Sequence, residues 1–181
     1  MRIISGKHGG LRLNPPANLP VRPTTDLAKE ALFNILDNKI DIEASDCLDL
    51  FAGTGNVSYE LSSRGAASVL AVDLHFKCVQ YIQQTAEKMK MEGLKARKAD
   101  VLKFIAKPAG SFDFIFADPP YDLPSLPQLA NNILTSGLLR EGGLLVIEHP
   151  SNRQLEEAAG FLETRKYGYS SFSFYHAVKP A

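Results

Sequence analysis

Phe112-Asp113-Phe114-Ile115-Phe116-Ala117-Asp118-Pro119-Pro120-Tyr121 is an apolar, β-rich run that ends abruptly in an acid, two prolines and an aromatic. Aromatics alternating with Ile suit a pleat covered on both faces, so Phe112 to Ala117 reads as a buried strand. Neither proline has an N–H to give to a ladder, so the strand stops where they begin. Asp118 and Tyr121 are therefore held at a strand's carboxyl end, on backbone that proline stiffens. A carboxylate and an aromatic ring fixed together can hold a planar base that carries an amino group. Alone, Asp-Pro-Pro is more often an ordinary turn, because both residue types are stock turn formers. The rest of the chain reverses those odds.

Upstream of this run, strands and helices alternate from Cys47 onwards, the signature of a parallel sheet with helices on both faces. Cys47 to Phe51 reads as the first strand, Asn56 to Arg64 as a helix and Ser68 to Asp73 as the second strand. A helix over Phe76 to Met91 and a short strand near Ala96 to Ala99 follow. The strand ending at Asp118 is then the fourth. Downstream, Leu126 to Leu134 reads as helical and Leu144 to His149 as a fifth strand opened by Gly142-Gly143. A short helix is expected near Gln154 to Ala159. Phe161 to Tyr167 and Ser171 to Ala177 read as a closing hairpin around Gly168.

Before the first strand, residues 1–25 hold Arg2, Lys7, Arg12 and Arg22 and no acid. Arg2 to Ile4 and Leu11 to Leu13 can pair across Lys7-His8-Gly9-Gly10 as a small hairpin. A solvated tail is the alternative, since termini are often loose. The functional reading is a basic arm that meets phosphates. Pro15, Pro16, Pro20 and Pro23 form a stiff connector. Asp26 is a plausible N-cap for a helix whose Ala28, Ala31, Leu32, Ile35 and Leu36 share one face. The division expected is a basic extension over 1–25 and a single domain over 26–181.

With 181 residues, 45% hydrophobic content and zero formal net charge, the chain has room for one sizeable core. No global field draws it to nucleic acid or membrane, so a polyanion-binding surface must be a local patch. Cys47 and Cys78 show neither CxxC spacing nor a neighbouring His cluster, so no metal site is expected. No apolar signal core or membrane-length run is seen, and a reducing, cytoplasmic setting is expected.

Asp49-Leu50-Phe51-Ala52-Gly53-Thr54-Gly55-Asn56 lies between the first strand and its helix, where glycines let backbone approach a ligand. Three residues past Gly55 stands Ser58, so the third glycine of the dinucleotide fingerprint is missing, which counts against NAD. Asp49 ahead of the glycines suits a ligand with a cation or amino group better than a pyrophosphate. Asp73 ends the second strand, where an acid can accept both hydroxyls of a ribose. Asp100, beside Val101, follows the third strand and can accept from adenine N6. Each acid alone is more often a cap or strand-end residue. Together Asp49, Asp73, Asp100 and Asp118 close four successive strands at the edge where such sheets bind ligands. A cationic nucleoside cofactor would use them.

The D-L-F-A-G-T-G loop, Asp73, Asp100 and Asp118-Pro119-Pro120-Tyr121 together resemble a class I S-adenosylmethionine-dependent methyltransferase. Arg2-Ile3-Ile4-Ser5-Gly6, Arg22-Pro23-Thr24-Thr25-Asp26, Lys29 to Leu36 and Ser63-Arg64-Gly65-Ala66 narrow the likeness. The combination is similar to the RsmD family, which methylates N2 of one guanine in bacterial small-subunit ribosomal RNA. The likeness runs from Arg2 to about Tyr175. It implies a Rossmann-like α/β fold: a seven-stranded sheet, mostly parallel, with an antiparallel last strand and helices on both faces. It implies S-adenosylmethionine as cofactor, with Gly53 and Gly55 at its methionine part, Asp73 at its ribose and Asp100 at its adenine. Asp49, Phe51, Thr54, Leu74 and Val101 complete the expected cofactor site. Asp118, Pro119, Pro120 and Tyr121 would receive the guanine, and Arg2, Lys7, Arg12 and Arg22 the RNA. The family usually has a basic residue where Leu27 stands and commonly a glycine where Ser58 stands. Assembled or protein-bound ribosomal RNA is the implied partner, with a monomeric enzyme and no membrane.

Two other readings remain. DNA adenine-N6 methyltransferases share the Asp-Pro-Pro-Tyr logic but usually carry a separate target-recognition domain, for which this chain has no room. A non-catalytic cofactor-binding module of the same fold is the third.

Overall fold

The computed structural model describes residues 1–21 and 24–178. Its strands are β1 (Asp46–Leu50), β2 (Ser68–Asp73), β3 (Leu94–Lys98), β4 (Phe112–Ala117), β5 (Leu139–Pro150), β6 (Phe161–Tyr167) and β7 (Ser170–His176). They form one sheet in the order β3-β2-β1-β4-β5-β7-β6. The first five run parallel, and β7 lies antiparallel between β5 and β6. The helices are α1 (Asp26–Leu36), α2 (Asn56–Ser63), α3 (Phe76–Lys88), α4 (Val101–Ala106) and α5 (Leu129–Thr135).

Period-two alternation divides the core into two layers. Cys47, Val69, Phe114, Phe116, Val146 and Phe174 meet α1, α2 and α3 on one face. Leu48, Val72, Ile115, Leu145 and Ile147 meet α4 and α5 on the other. An acid that continues the first series therefore emerges at the carboxyl edge on the α1 side.

The N-terminal residues form the expected hairpin and do not hang loose. Ile3 N–H donates to Leu11 O at 2.9 Å, and Arg2 bridges Arg12 antiparallel. Ile3 is buried, and full burial of such a side chain contributes about 1.5–3 kcal/mol. The clasp beneath it is ionic. Buried Lys29 reaches Glu60 at 3.2 Å and also donates to Arg2 O. Glu60 accepts the Ile4 and Ser5 N–H groups at 2.8 and 3.1 Å. Gly6 has φ +81°, and a Cβ there would come within 2.0 Å of Ser63 O. Only glycine permits that approach.

Several boundaries differ from the sequence reading. Thr25, not Asp26, caps α1: it is extended and its hydroxyl accepts the Ala28 N–H at 3.2 Å. β3 starts at Leu94, and Asp100 caps the unexpected helix α4 by accepting from Leu102 and Lys103 N–H. β5 begins at Leu139, so Gly142-Gly143 lies inside it at a register shift. A Cβ on Gly143 would meet Arg140 O at 2.8 Å and Asp113 O at 2.9 Å. No helix forms over 154–159. Its Glu156 N–H donates to Pro127 O, and Gln128 and Asn131 reach its Glu156 and Glu157, so the segment bonds to the α5 approach instead of to itself. So short a stretch gains too little from propagation to nucleate a helix alone.

Candidate active site

The carboxyl ends of β1, β2, β4 and β5 open into a cavity of about 750 Å³, within the range of small-molecule sites. Its floor is the loop after β1. Phe51 adopts φ +58° there, a strained conformation for a non-glycine residue. Asp73 straps the loop down: Oδ2 accepts the Gly53 N–H and Oδ1 the His75 N–H, each at 2.9 Å. Gly53 also takes φ +58°, with Val21 of the N-terminal connector lying 3.3 Å from where its Cβ would be. Gly55 is not among the residues that line the cavity. It takes φ +88°, and a Cβ on it would meet the Tyr59 ring at 2.8 Å and Ile82 at 2.9 Å, so conformation and close packing both call for glycine.

Asp49 is buried and accepts the Ser58 hydroxyl at 2.6 Å. Burial, with the charge of Asp73 nearby, pushes its carboxyl up to about 7 against that hydrogen bond. Ser58 therefore does more than fill a helix-packing position near the loop. It donates to a buried acid of the cavity wall, which a glycine cannot do.

Asp118 follows β4 on the same face as Phe114 and Phe116. The β4–β5 register pairs Ala117 with Ile147, so one residue further on Asp118 lies beside Glu148. Burial, then the charges of Glu148 and Asp49, push the Asp118 carboxyl well above the usual carboxylate range. Thr24 donates to Glu148 Oε2 at 3.0 Å. Pro119 is buried and Pro120 exposed. Tyr121 is 37% exposed, its hydroxyl 2.7 Å from Ser170 Oγ, while Arg153 donates to the Tyr121 and Leu123 carbonyls.

Asp49, Phe51, Gly53, Thr54, Asp73, Leu74, Asp100 and Val101 thus share one cavity with Asp118, Pro119, Pro120 and Tyr121. Asp100 reaches it as a helix cap, with Oδ1 engaged by α4. Arg2, Lys7 and Arg12 do not line it, and Arg22 lies outside the described residues. Thr24, Glu148 and Tyr169 line it without having been singled out from sequence. Glu148 lies inside an apolar strand, two residues before its end, and its place beside Asp118 shows only in the β4–β5 register. Leu27 is 78% exposed on α1. Among the described residues no group of three or more His, Cys, Asp or Glu side chains could hold a metal ion, and no helix is long and apolar enough to cross a membrane.

This sheet order, its antiparallel β7 and the ligand edge define a class I methyltransferase fold. The family model described as Conserved hypothetical protein 95 matches residues 1–176, and the chain belongs to that family, the RsmD family. It is 37% identical over 97% of its length to YlbH of Bacillus subtilis, provisionally named an rRNA methyltransferase, of which 98% is covered. Against Ribosomal RNA small subunit methyltransferase D of Escherichia coli it is 30% identical, covering 92% of this chain and 89% of that one. The solved structure of Escherichia coli yhhF superposes with TM-score 0.84 at 26% identity, covering 98% of this chain and 97% of that one.

Proposed function

We propose that this protein transfers a methyl group from S-adenosylmethionine to the N2 amine of a guanine in small-subunit ribosomal RNA. The observation that carries the reading is the continuity of the cavity. The Asp73-strapped loop and the Asp118-Pro119-Pro120-Tyr121 corner face one space. The residues fit the cofactor: a strained loop, a glycine at positive φ and acids suited to a cation and a ribose stand where it would lie. Gly53 and Thr54 would hold its methionine part, with Asp49 towards its positive charge. Asp73 and Leu74 would hold the ribose, and Asp100 and Val101 the adenine. When bound, S-adenosylmethionine supplies an electrophilic methyl group on a good leaving system.

The chain's own residues then have to align the amine. Guanine N2 is a poor nucleophile because its lone pair is delocalised into the ring. Asp118 and the Pro119 carbonyl each accept one N–H of the amine, which turns the lone pair away from the ring plane. Asp118 takes up the proton released as the new bond forms. The step needs Asp118 in its ionised form, and a carboxylate whose pKa is raised by burial is then a stronger base than an ordinary aspartate. Tyr121 offers a face on which a splayed base can stack. Arg2, Lys7, Arg12 and Arg22 meet RNA phosphates, and an assembled or protein-bound particle, met by a monomer, supplies further contacts.

The test is methyl transfer from labelled S-adenosylmethionine into small-subunit particles, free RNA and DNA, followed by nucleoside analysis. Label in N2-methylguanosine from RNA is the expected result. Label in N6-methyladenine of DNA, or none in any substrate, would sink the proposal.

A further inference from the structure

We infer that Glu148 is a specificity residue that accepts the N1–H of the target guanine while Asp118 accepts from its N2 amine; this rests on the guanine-N2 reading proposed above. The two acids come from adjacent parallel strands in neighbouring register, on the same face of the sheet, at its ligand-binding edge. Glu148 is 4% exposed and forms part of the cavity wall. The same face of β5 carries Leu144 and Val146, both in the core layer. Across the ladder Glu148 faces Phe172. Core packing at this position calls for another apolar side chain, yet the chain places a carboxylate there.

That carboxylate is also positioned. Thr24 donates its hydroxyl to Glu148 Oε2 at 3.0 Å, and the Thr24 carbonyl accepts from Asn56 Nδ2 at 3.0 Å. Asn56 in turn accepts from Lys29 Nζ at 2.8 Å. The acid is thereby tied to the first residue of α2, at the end of the cofactor loop. Such a tether holds it in place when a base enters.

The chemistry of the base completes the case. Guanine presents N1–H and the N2 amine side by side, two adjacent donor groups. Two adjacent acceptors match them. Adenine presents its N6 amine beside N1, an acceptor whose lone pair would face the second carboxylate. Sites built to bond a particular N–H reject analogues that lack it, because the buried acceptor is then left unmatched. Glu148 would thus separate guanine from adenine, which Asp118-Pro119-Pro120-Tyr121 alone does not.

2-Aminopurine keeps the N2 amine, has an acceptor at N1 and lacks O6, so the N1 contact is isolated by comparing how wild type and a Glu148 variant discriminate it from guanine. The target guanine, once mapped, is replaced by 2-aminopurine through ligation of synthetic RNA, and the RNA is assembled with small-subunit proteins. Both kcat/KM and equilibrium RNA affinity are measured. Wild type should prefer guanine by about a hundredfold or more in kcat/KM. Glu148→Gln, whose amide can donate to N1, should shrink that ratio at least about tenfold and narrow the difference in affinity. If the Gln variant does not fold, Glu148→Asp replaces it under the same criterion, since the shorter side chain withdraws the acceptor. A wild-type ratio below about tenfold, or a ratio unchanged in the folded variant, overturns the inference while leaving the proposed function standing. No N2-methylguanosine from wild type overturns both.

Discussion

The two ends of β1 and β4 carry the same residue type and treat it in opposite ways. At the amino end, Arg140 reaches Asp46 at 2.7 Å and Asp113 at 3.0 Å, and Ser68 donates to Asp46 at 2.7 Å. The Ser68 and Arg140 hydrogen bonds hold Asp46 below its ordinary value. At the carboxyl end, among the described residues, no lysine or arginine pairs with Asp49, Asp73 or Asp118. The donors to Asp49 and Asp73 are neutral: Ser58 for the first and two backbone N–H groups for the second. Asp49 and Asp118 are pushed up, not down. Acids that brace the sheet come with their cation. Acids at the ligand edge are held by groups that leave charge for something else to meet, and perturbed carboxyls in a cleft are what a working site requires.

Substitutions at the two ends should separate accordingly. The largest effect is expected at Asp118. Asp118→Asn should cost about a hundredfold or more in turnover with cofactor affinity nearly unchanged, because the lost interaction belongs to the transition state. Single-turnover methylation beside calorimetric titration checks this, and an Asn variant with wild-type turnover would remove Asp118 from the mechanism.

Tyr121 comes next. Base–aromatic stacking contributes about 1–3 kcal/mol by alanine substitution, so Tyr121→Ala should cost roughly 5- to 150-fold in turnover. Tyr121→Phe keeps the ring and loses the hydroxyl's contact with Ser170 Oγ, so it should stay within a few-fold of wild type. A folded Phe variant as impaired as Ala would show that the hydroxyl, not the face, matters.

Asp73→Ala should raise the cofactor dissociation constant about tenfold to a hundredfold, since hydrogen bonds to charged groups contribute about 1.5–3 kcal/mol. The same change frees the Gly53 and His75 N–H groups. Hydrogen exchange should therefore rise at those amides, and unaltered affinity would refute the assignment.

The raised Asp49 carboxyl gives a pH test. Folded Asp49 keeps its proton up to about pH 7, whereas an unfolded aspartate loses it near ~3.9. Without ligand, its contribution to stability is full below the unfolded value and is lost as pH rises through about 7. Asp118, raised likewise, acts in the same direction. A cation beside Asp49 favours the carboxylate, so cofactor binding should expel the proton. Affinity should be about tenfold weaker at pH 6 than at pH 8, and Asp49→Asn should flatten most of that dependence. A pH-independent wild-type affinity would separate Asp49 from the cofactor's charge.

The smallest functional effect belongs to the amino end. Arg140→Ala should lower the melting temperature while leaving cofactor affinity and turnover as they were. A fall in turnover at equal folded fraction would break the distinction between the two ends.

Much of this was legible in the chain before it was folded. Alternating apolar runs from Cys47 onwards encode a parallel sheet because burial on both faces leaves its own pattern. Gly53, Asp73, Asp100 and Asp118-Pro119-Pro120-Tyr121 stand out because turn chemistry and strand ends are local. The hairpin near the N-terminus is readable for the same reason. What local chemistry cannot carry is partnership across the sheet. Glu148 acquires its meaning only when β5 lies beside β4 in register, and Ser58 only when α2 brings its hydroxyl to Asp49. That a Cβ on Gly55 would meet Tyr59 and Ile82 is likewise known only once α3 packs on α2. The 154–159 segment has helical composition, but its hydrogen bonds go to the α5 approach. Local pattern determined which residues make strands, turns and a cofactor loop. Long-range packing decided which acids face one another, because side chains far apart in sequence meet only after the sheet has set their register.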